Sequence, residues 1–299
     1  MRNAFRESLL AHAERPDFVF LTGDLGYGAL EPLRDRMGPR FINAGVAEQN
    51  MISVAAGLSK GAFRPWVYSI APFLYARPFE QIRNDVCLHG FPVVMIGNGG
   101  GYGYGVMGAT HHALEDYGTL LTLLGLQVYI PAFDADLPLV VAELFESDKP
   151  AYLRLGVQEQ PADWTPPPFA SWRKLTSGGG PTVIAVGPLA GWYWGAWNSL
   201  AEDCRPNLWC VSRLPISELP AELWHDIRTA GAVGVAEEHV AHGSFGSMLA
   251  SLMVHSGCVP RRYHHFVARG YPSGRYGSQR FHRKESGLAP EQVLQTLTS

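Results

Sequence analysis

A carboxylate in a run of small and apolar residues is the first feature with chemical content. Glu48 lies in NAGVAEQNM (43–51), just ahead of ISVAAGLSKGAF, which has the apolar spacing of a buried helix. A charge there costs several kcal/mol if it is desolvated and unpaired. At a helix start, free backbone N–H groups and the macrodipole favour an anion. Glu48 therefore either supports the helix start or is a partly buried carboxylate placed to exchange a proton with a ligand. A second feature is the glycine-rich stretch GNGGGYGYGVMGATHH (97–112), which ends in His111 and His112. Its GYGVMG (103–108) matches G-x-G-x-x-G formally. A dinucleotide fingerprint opens its helix inside the motif, however, and here ATHH still intervenes. An active-site loop allowing close backbone approach fits better, with a purely structural loop as the alternative. The two histidines have no Cys, Asp or Glu beside them at ligand spacing, so acid/base or polar loop roles fit better than a protein-ligated metal. His239/His242 and His264/His265 read as structural or surface residues. No G-x-S-x-G elbow is present, and HGSFGS (242–247) has the wrong spacing.

The elements that must position these groups alternate. DFVFLT (17–22), FRPWVYSI (63–70), FPVVMIG (91–97), LQVYIP (126–131) and PAYLRL (150–155) read as strands. Helical stretches near 3–14, 47–60, 73–89, 113–124 and 135–147 separate them, with Pro78 set to kink one or shift its start. This alternation predicts an α/β fold with a mainly parallel sheet covered on both faces. The domains are expected at 1–157 and 182–299, joined by a Pro- and Gly-rich linker over 158–181. In the second domain TVIAVG (182–187), NLWCV (207–211), AVGVAEEH (232–239) and PRRYHHFV (260–267) read as strands, with helices near 190–203 and 244–256. Ligands in such sheets bind beyond the strands' carboxyl ends. That directs attention to GDLGYG (23–28), IAPF (70–73) and the glycine loop.

Bulk composition narrows the function classes. The net charge of −3 comes without a large basic block, so nucleic acid is not an expected partner. No apolar run approaches the ~20 residues that cross a bilayer, and the start of the chain lacks a signal peptide's apolar core. Cys87, Cys204, Cys210 and Cys258 are scattered without paired spacing, which fits a reducing compartment. A cytoplasmic protein free of membranes is the expectation.

Several separated stretches, in order, carry a family resemblance. FINAGVAEQNMISVAAGLSKGAFRPWVYSIAPFLYARPFEQIRND, then GATHHALEDYGTLLTLLGLQVYIPAFDAD and PAYLRLG, resembles the pyrimidine-binding domain of transketolases. The nearest likeness is to the C-terminal-section subunit of split, two-gene transketolases. VGVAEEHVAHGSFGSMLA and YGSQRFHRKESGLAPEQV resemble the family's second-domain segments. The resemblance implies ketol transfer on thiamine diphosphate, which supplies the difficult chemistry while the protein controls tautomer and orientation. Glu48 matches the glutamate that bonds to N1′ of the aminopyrimidine and favours the imino tautomer that deprotonates C2. Phe73 matches the aromatic packed on that ring, and Ile70 falls where many relatives carry another aromatic. His111 matches a histidine that contacts substrate. Asp24 matches an aspartate near the cofactor and substrate entrance, and Arg2 an arginine that holds a sugar phosphate.

The departures bear on the substrate. Gly99 stands where transketolases have a histidine, Met107 where they have an aspartate that contacts sugar hydroxyls, and Val157 where they have a phosphate-binding arginine; Arg154 lies near the last. A modified, nucleotide-linked or unphosphorylated sugar is therefore expected rather than an ordinary pentose or hexose phosphate. The chain has no G-D-G motif for the diphosphate and Mg²⁺ (or Ca²⁺). An N-terminal-section partner subunit is expected to hold these in an α₂β₂ assembly. The rival readings are a 2-oxo-acid dehydrogenase β subunit, a 1-deoxyxylulose-phosphate-synthase-like enzyme, and a non-catalytic regulatory subunit.

Overall fold

The computed structural model describes residues 1–299 throughout. Twelve strands form two sheets: β1 (Phe18–Thr22), β2 (Phe41–Asn43), β3 (Arg64–Ile70), β4 (Val94–Asn98), β5 (Gln127–Tyr129), β6 (Ala151–Leu155), β7 (Trp172–Thr176), β8 (Thr182–Val186), β9 (Asn207–Val211), β10 (Arg213–Leu214), β11 (Ala232–Ala236) and β12 (Arg262–Phe266). The first sheet runs β10-β5-β6-β4-β3-β1-β2 and the second β12-β11-β8-β9-β7. Pairing is parallel except at two edges, β10 on β5 and β7 on β9. This is the expected α/β class. Strands such as β1 and β6 are buried along their whole length, as parallel strands covered on both faces must be.

The differences from the sequence reading have local causes. The helix expected over 73–89 is broken: Ala71–Ala76 stops before Pro78, and Phe79–Gln81 then runs into a π-helical turn at Ile82–Cys87. Proline's ring and missing N–H account for the interruption. The helix expected over 113–124 shrinks to Asp116–Leu120 because Ala113 instead bridges Gly101 of the glycine loop. The stretch 158–181 is not devoid of structure, since β7 within it pairs with β9. Helices Glu31–Met37, Ala221–Thr229, Gln279–Glu285 and Pro290–Thr298, together with the short strands β2 and β10, were not anticipated.

The two sheets share a core. One apolar cluster joins Tyr117, Val128 and Ile130 to Trp209, Val211 and Phe245. Strand β10, from the second half of the chain, is an edge strand of the first sheet. Polar contacts reinforce the junction. Arg154 Nε donates to Asp116 Oδ2 at 2.8 Å, and its Nη2 donates to the carbonyls of Ala113 and Glu238, both at 2.9 Å. Glu237, fully buried, accepts Tyr117 Oη, the N–H groups of Phe245 and Gly246, and His265 Nε2 at 2.6 Å. Burial opposes its charge, yet these donors hold its carboxyl below the usual range. Glu238 takes Gln279 and Arg283, and Arg283 also reaches Glu159 at 2.7 Å. The EEH segment (237–239) thus ties the second sheet to the glycine loop's flank.

Candidate active site

Four neighbouring strands, β4, β3, β1 and β2, bring their carboxyl ends to one edge of the first sheet. Glu48 opens the helix Glu48–Lys60 just after β2 and is only 4% exposed. Its carboxylate accepts a 2.7 Å hydrogen bond from Arg77 Nη1. The Arg77 guanidinium carbon also lies 3.9 Å from the centroid of the Phe73 ring, against its face. Phe73 lies in a short helix beyond β3, and His111 meets its ring edge-on at 5.4 Å. Glu48, Phe73 and His111, distant in sequence, are thus brought into one neighbourhood. Arg77 was not singled out from sequence, although its position four residues after Phe73 on a helical stretch places the two side chains together.

Two further features suit a flat, polar-edged ligand here. Ser69, near the end of β3, is fully buried and its hydroxyl has no hydrogen-bond partner. A Cβ on Gly23 would stand 3.5 Å from Ser69 Oγ and 3.8 Å from Glu48 Cγ, filling the gap that glycine leaves between them. A buried hydroxyl without a partner is costly unless a ligand supplies one.

Asp24 follows β1 in the left-handed backbone region, at φ 58°. Its Oδ1 accepts Asn43 Nδ2 at 2.8 Å and Tyr27 Oη at 2.7 Å, and these two bonds hold the carboxyl below its ordinary range. Asn43, at the end of β2, was not singled out from sequence; its Oδ1 also accepts the Gly45 N–H, which shapes the turn before Glu48. Ile70 ends β3 in register with Asn98 at the end of β4. Gly99 follows with φ 77°, and a Cβ there would collide with the ring of Tyr104. Tyr104 Oη accepts Asn98 Nδ2 at 2.7 Å, and its ring lies edge-on to His111 at 5.8 Å. Glycine at 99 therefore admits an aromatic side chain from further along the same loop. Burial raises the Tyr104 phenol, while the Asn98 bond and the charge of Arg2 pull it back. Burial raises the Tyr68 phenol too; its ring stacks on Phe5 at 6.5 Å, one turn after Arg2 on the helix Arg2–Leu10.

The remaining expectations are placed differently. Arg154 is 4% exposed and its guanidinium is engaged by Asp116, Ala113 and Glu238, so its charge is committed inside the fold. The cause is its register in β6, which directs it to the inter-sheet junction. Met107 and Val157 are exposed, at 54% and 51%, and contribute no charge. His112 is a buried brace beside His111. It bonds to the Gly105 carbonyl through Nε2 and to Tyr271 Oη through Nδ1, both at 2.9 Å, anchoring the glycine loop to the second half of the chain. No three His, Cys, Asp or Glu side chains converge as a metal site. No helix is long and apolar enough to cross a membrane.

Residues 1–161 match the family model described as transketolase, pyrimidine binding domain. The chain is 26% identical over 275 residues to an apulose-4-phosphate transketolase subunit of Actinobacillus succinogenes, covering 89% of this chain and 86% of that protein. It is 33% identical over 267 residues to 1-deoxy-D-xylulose-5-phosphate synthase 2 of Geobacter sulfurreducens, covering 85% of this chain but spanning only 41% of that longer protein. Among solved structures it superposes on a split gene transketolase, an inactive beta4 tetramer, with TM-score 0.81 and 28% identity, over 99% of this chain and 96% of the other. With the pyrimidine-binding family model spanning more than half of its length, this chain belongs to the transketolase family.

Proposed function

We propose that the chain is the pyrimidine-side subunit of a split transketolase, moving a two-carbon ketol unit from a ketose to an aldehyde on a specialised sugar. The observation that carries this reading is the placement of buried Glu48 beside Phe73, unpartnered Ser69 and the gap at Gly23. These residues fit the aminopyrimidine of thiamine diphosphate. When bound, that group supplies an acidic carbon that adds to a ketose carbonyl.

Glu48 would hold and share a proton with a nitrogen of the ring, which sets the tautomer; its loss is expected to cost on the order of 10²–10⁴-fold in rate. Phe73 would pack against the ring and Ile70 would border it. Ser69 Oγ would supply a hydrogen bond to its polar edge. His111 contacts substrate oxygen atoms between Phe73 and Tyr104. Asp24 stands at the entrance, held by Asn43 and Tyr27, and Arg2 offers its cation to an anionic group on the sugar. Gly99 and Met107 shape the pocket without charge. The diphosphate and Mg²⁺ (or Ca²⁺) belong to an N-terminal-section partner subunit, in an α₂β₂ assembly. The relatedness to a transketolase subunit of similar length supports that division. Similarity to a 1-deoxy-D-xylulose-5-phosphate synthase favours a second reading, condensation from a keto acid donor, and release of CO₂ would identify it.

The test is C2-proton exchange of thiamine diphosphate, followed by NMR, with this chain, its diphosphate-side subunit and Mg²⁺. Acceleration by wild type that Glu48→Ala abolishes is the expected result. No acceleration in a complex that has formed and bound cofactor would refute the assignment.

A further inference from the structure

Arg77 holds both of the contacts that the reading above assigns to the cofactor ring. Its guanidinium hydrogen-bonds Glu48 Oε1 at 2.7 Å and lies close enough against Phe73 to sit 3.9 Å from the ring centroid. A guanidinium is planar, carries N–H donors on its edge and stacks on aromatic faces. It therefore mimics an aminopyrimidine, which also presents a flat face and a protonated edge. The side chain is 44% exposed, whereas Glu48 is 4% exposed, so the mobile partner of the pair is the arginine. It projects from the turn that caps the helix Ala71–Ala76 just before Pro78.

We infer that Arg77 is an exchangeable occupant of the cofactor's seat: it stacks on Phe73 and neutralises Glu48 until the pyrimidine ring displaces it into solvent. The inference rests on the thiamine reading and adds a competitor internal to the chain. A lone buried carboxylate would otherwise bear a large desolvation cost. The competitor removes that cost from the empty subunit and returns part of it as weaker cofactor binding. Apparent affinity falls by the fraction of molecules whose seat is open, so occupancy of about 90% by Arg77 weakens binding about tenfold.

The experiment uses the full chain reconstituted with its diphosphate-side subunit and Mg²⁺, titrated with thiamine diphosphate by calorimetry. Arg77→Met removes the competitor. Arg77→Lys keeps a counter-charge on Glu48 but loses the flat stack. Arg77→Met is expected to bind about tenfold tighter than wild type, with Arg77→Lys between them. As a second readout, brief phenylglyoxal treatment and peptide mass mapping report the reactivity of Arg77 in wild type, which is expected to rise when cofactor is added. If wild type binds cofactor while Arg77→Lys binds no tighter and Arg77 reactivity is unchanged or falls, the exchange is refuted and the thiamine reading stands. If neither wild type nor either variant binds thiamine diphosphate, both readings fall.

Discussion

Arg154 separates a structural role from a substrate role, and the structure sets the size of the effect. The side chain is 5% exposed and its partner Asp116 is fully buried. Arg154→Met leaves the Asp116 carboxylate with the Tyr152 hydroxyl, at 2.8 Å, as its remaining partner. It also strips the donor from the carbonyls of Ala113 and Glu238. Removing one member of a buried ion pair costs about 3–5 kcal/mol. At about 2–4 °C per kcal/mol for chains of comparable size, the thermal midpoint is expected to fall by about 6–20 °C. Calorimetric melting of wild type, Arg154→Met and the apolar pair Asp116→Leu/Arg154→Met tests this, and the double variant should regain much of the loss because no unpaired charge remains. Below the lowered midpoint, KM for a phosphorylated donor should stay near the wild-type value. A midpoint within about 2 °C of wild type, with a selective rise in that KM, would refute the reasoning.

Three other outcomes follow from the geometry. Gly99→Ala places a methyl group in the Tyr104 ring at positive φ, so a loss of about 1–3 kcal/mol is expected in urea unfolding; Tyr104→Ala in the same chain should cancel the packing part. Gly118→Ala sets its Cβ 2.6 Å from His239 Cε1 at the inter-sheet junction, and a similar loss should appear with a lower protection of junction amides in hydrogen exchange. Acidification should destabilise the fold in two stages. Burial lowers the pKa of His239, whose ring accepts the Gly118 N–H, from 6.5, so the unfolded chain takes up the proton first and stability falls as pH drops below about 6.5. Glu237, held below its ordinary 4.5, contributes fully above that value and loses its contribution below it. Urea midpoints from pH 7.5 to about 3 test both stages; His239→Gln should flatten the first, and a midpoint that rises on acidification would contradict the assignment.

Much of the fold was legible because buried parallel strands are continuous apolar runs, and β1, β3, β6, β8 and β9 fall close to where such runs occur. Glu48 was legible as a charge out of place. Arg154 was not, because a sequence gives the neighbourhood of an arginine but not the side of the strand it takes, and one register position separates a strand-end cation from a buried clasp. Gly99 stood out as glycine where the resemblance leads one to expect a histidine, but its contact with Tyr104 did not, since that contact depends on the loop's positive φ angles. β10 escaped notice because two residues carry no periodicity, and it gains its pairing only from the far half of the chain.

That two-residue strand, together with the Arg154 and Glu237 clasps, has a consequence for engineering. The halves are not interchangeable cassettes. A chimera joined within 158–181, with its front from this chain and its back from a relative, would inherit a sheet edge cut for a different neighbour and carbonyls awaiting a different arginine. Swapping pockets between relatives therefore calls for moving Asp116, Tyr117, Arg154, Arg213, Leu214 and the EEH segment as one coadapted set, even though they lie far apart in the sequence.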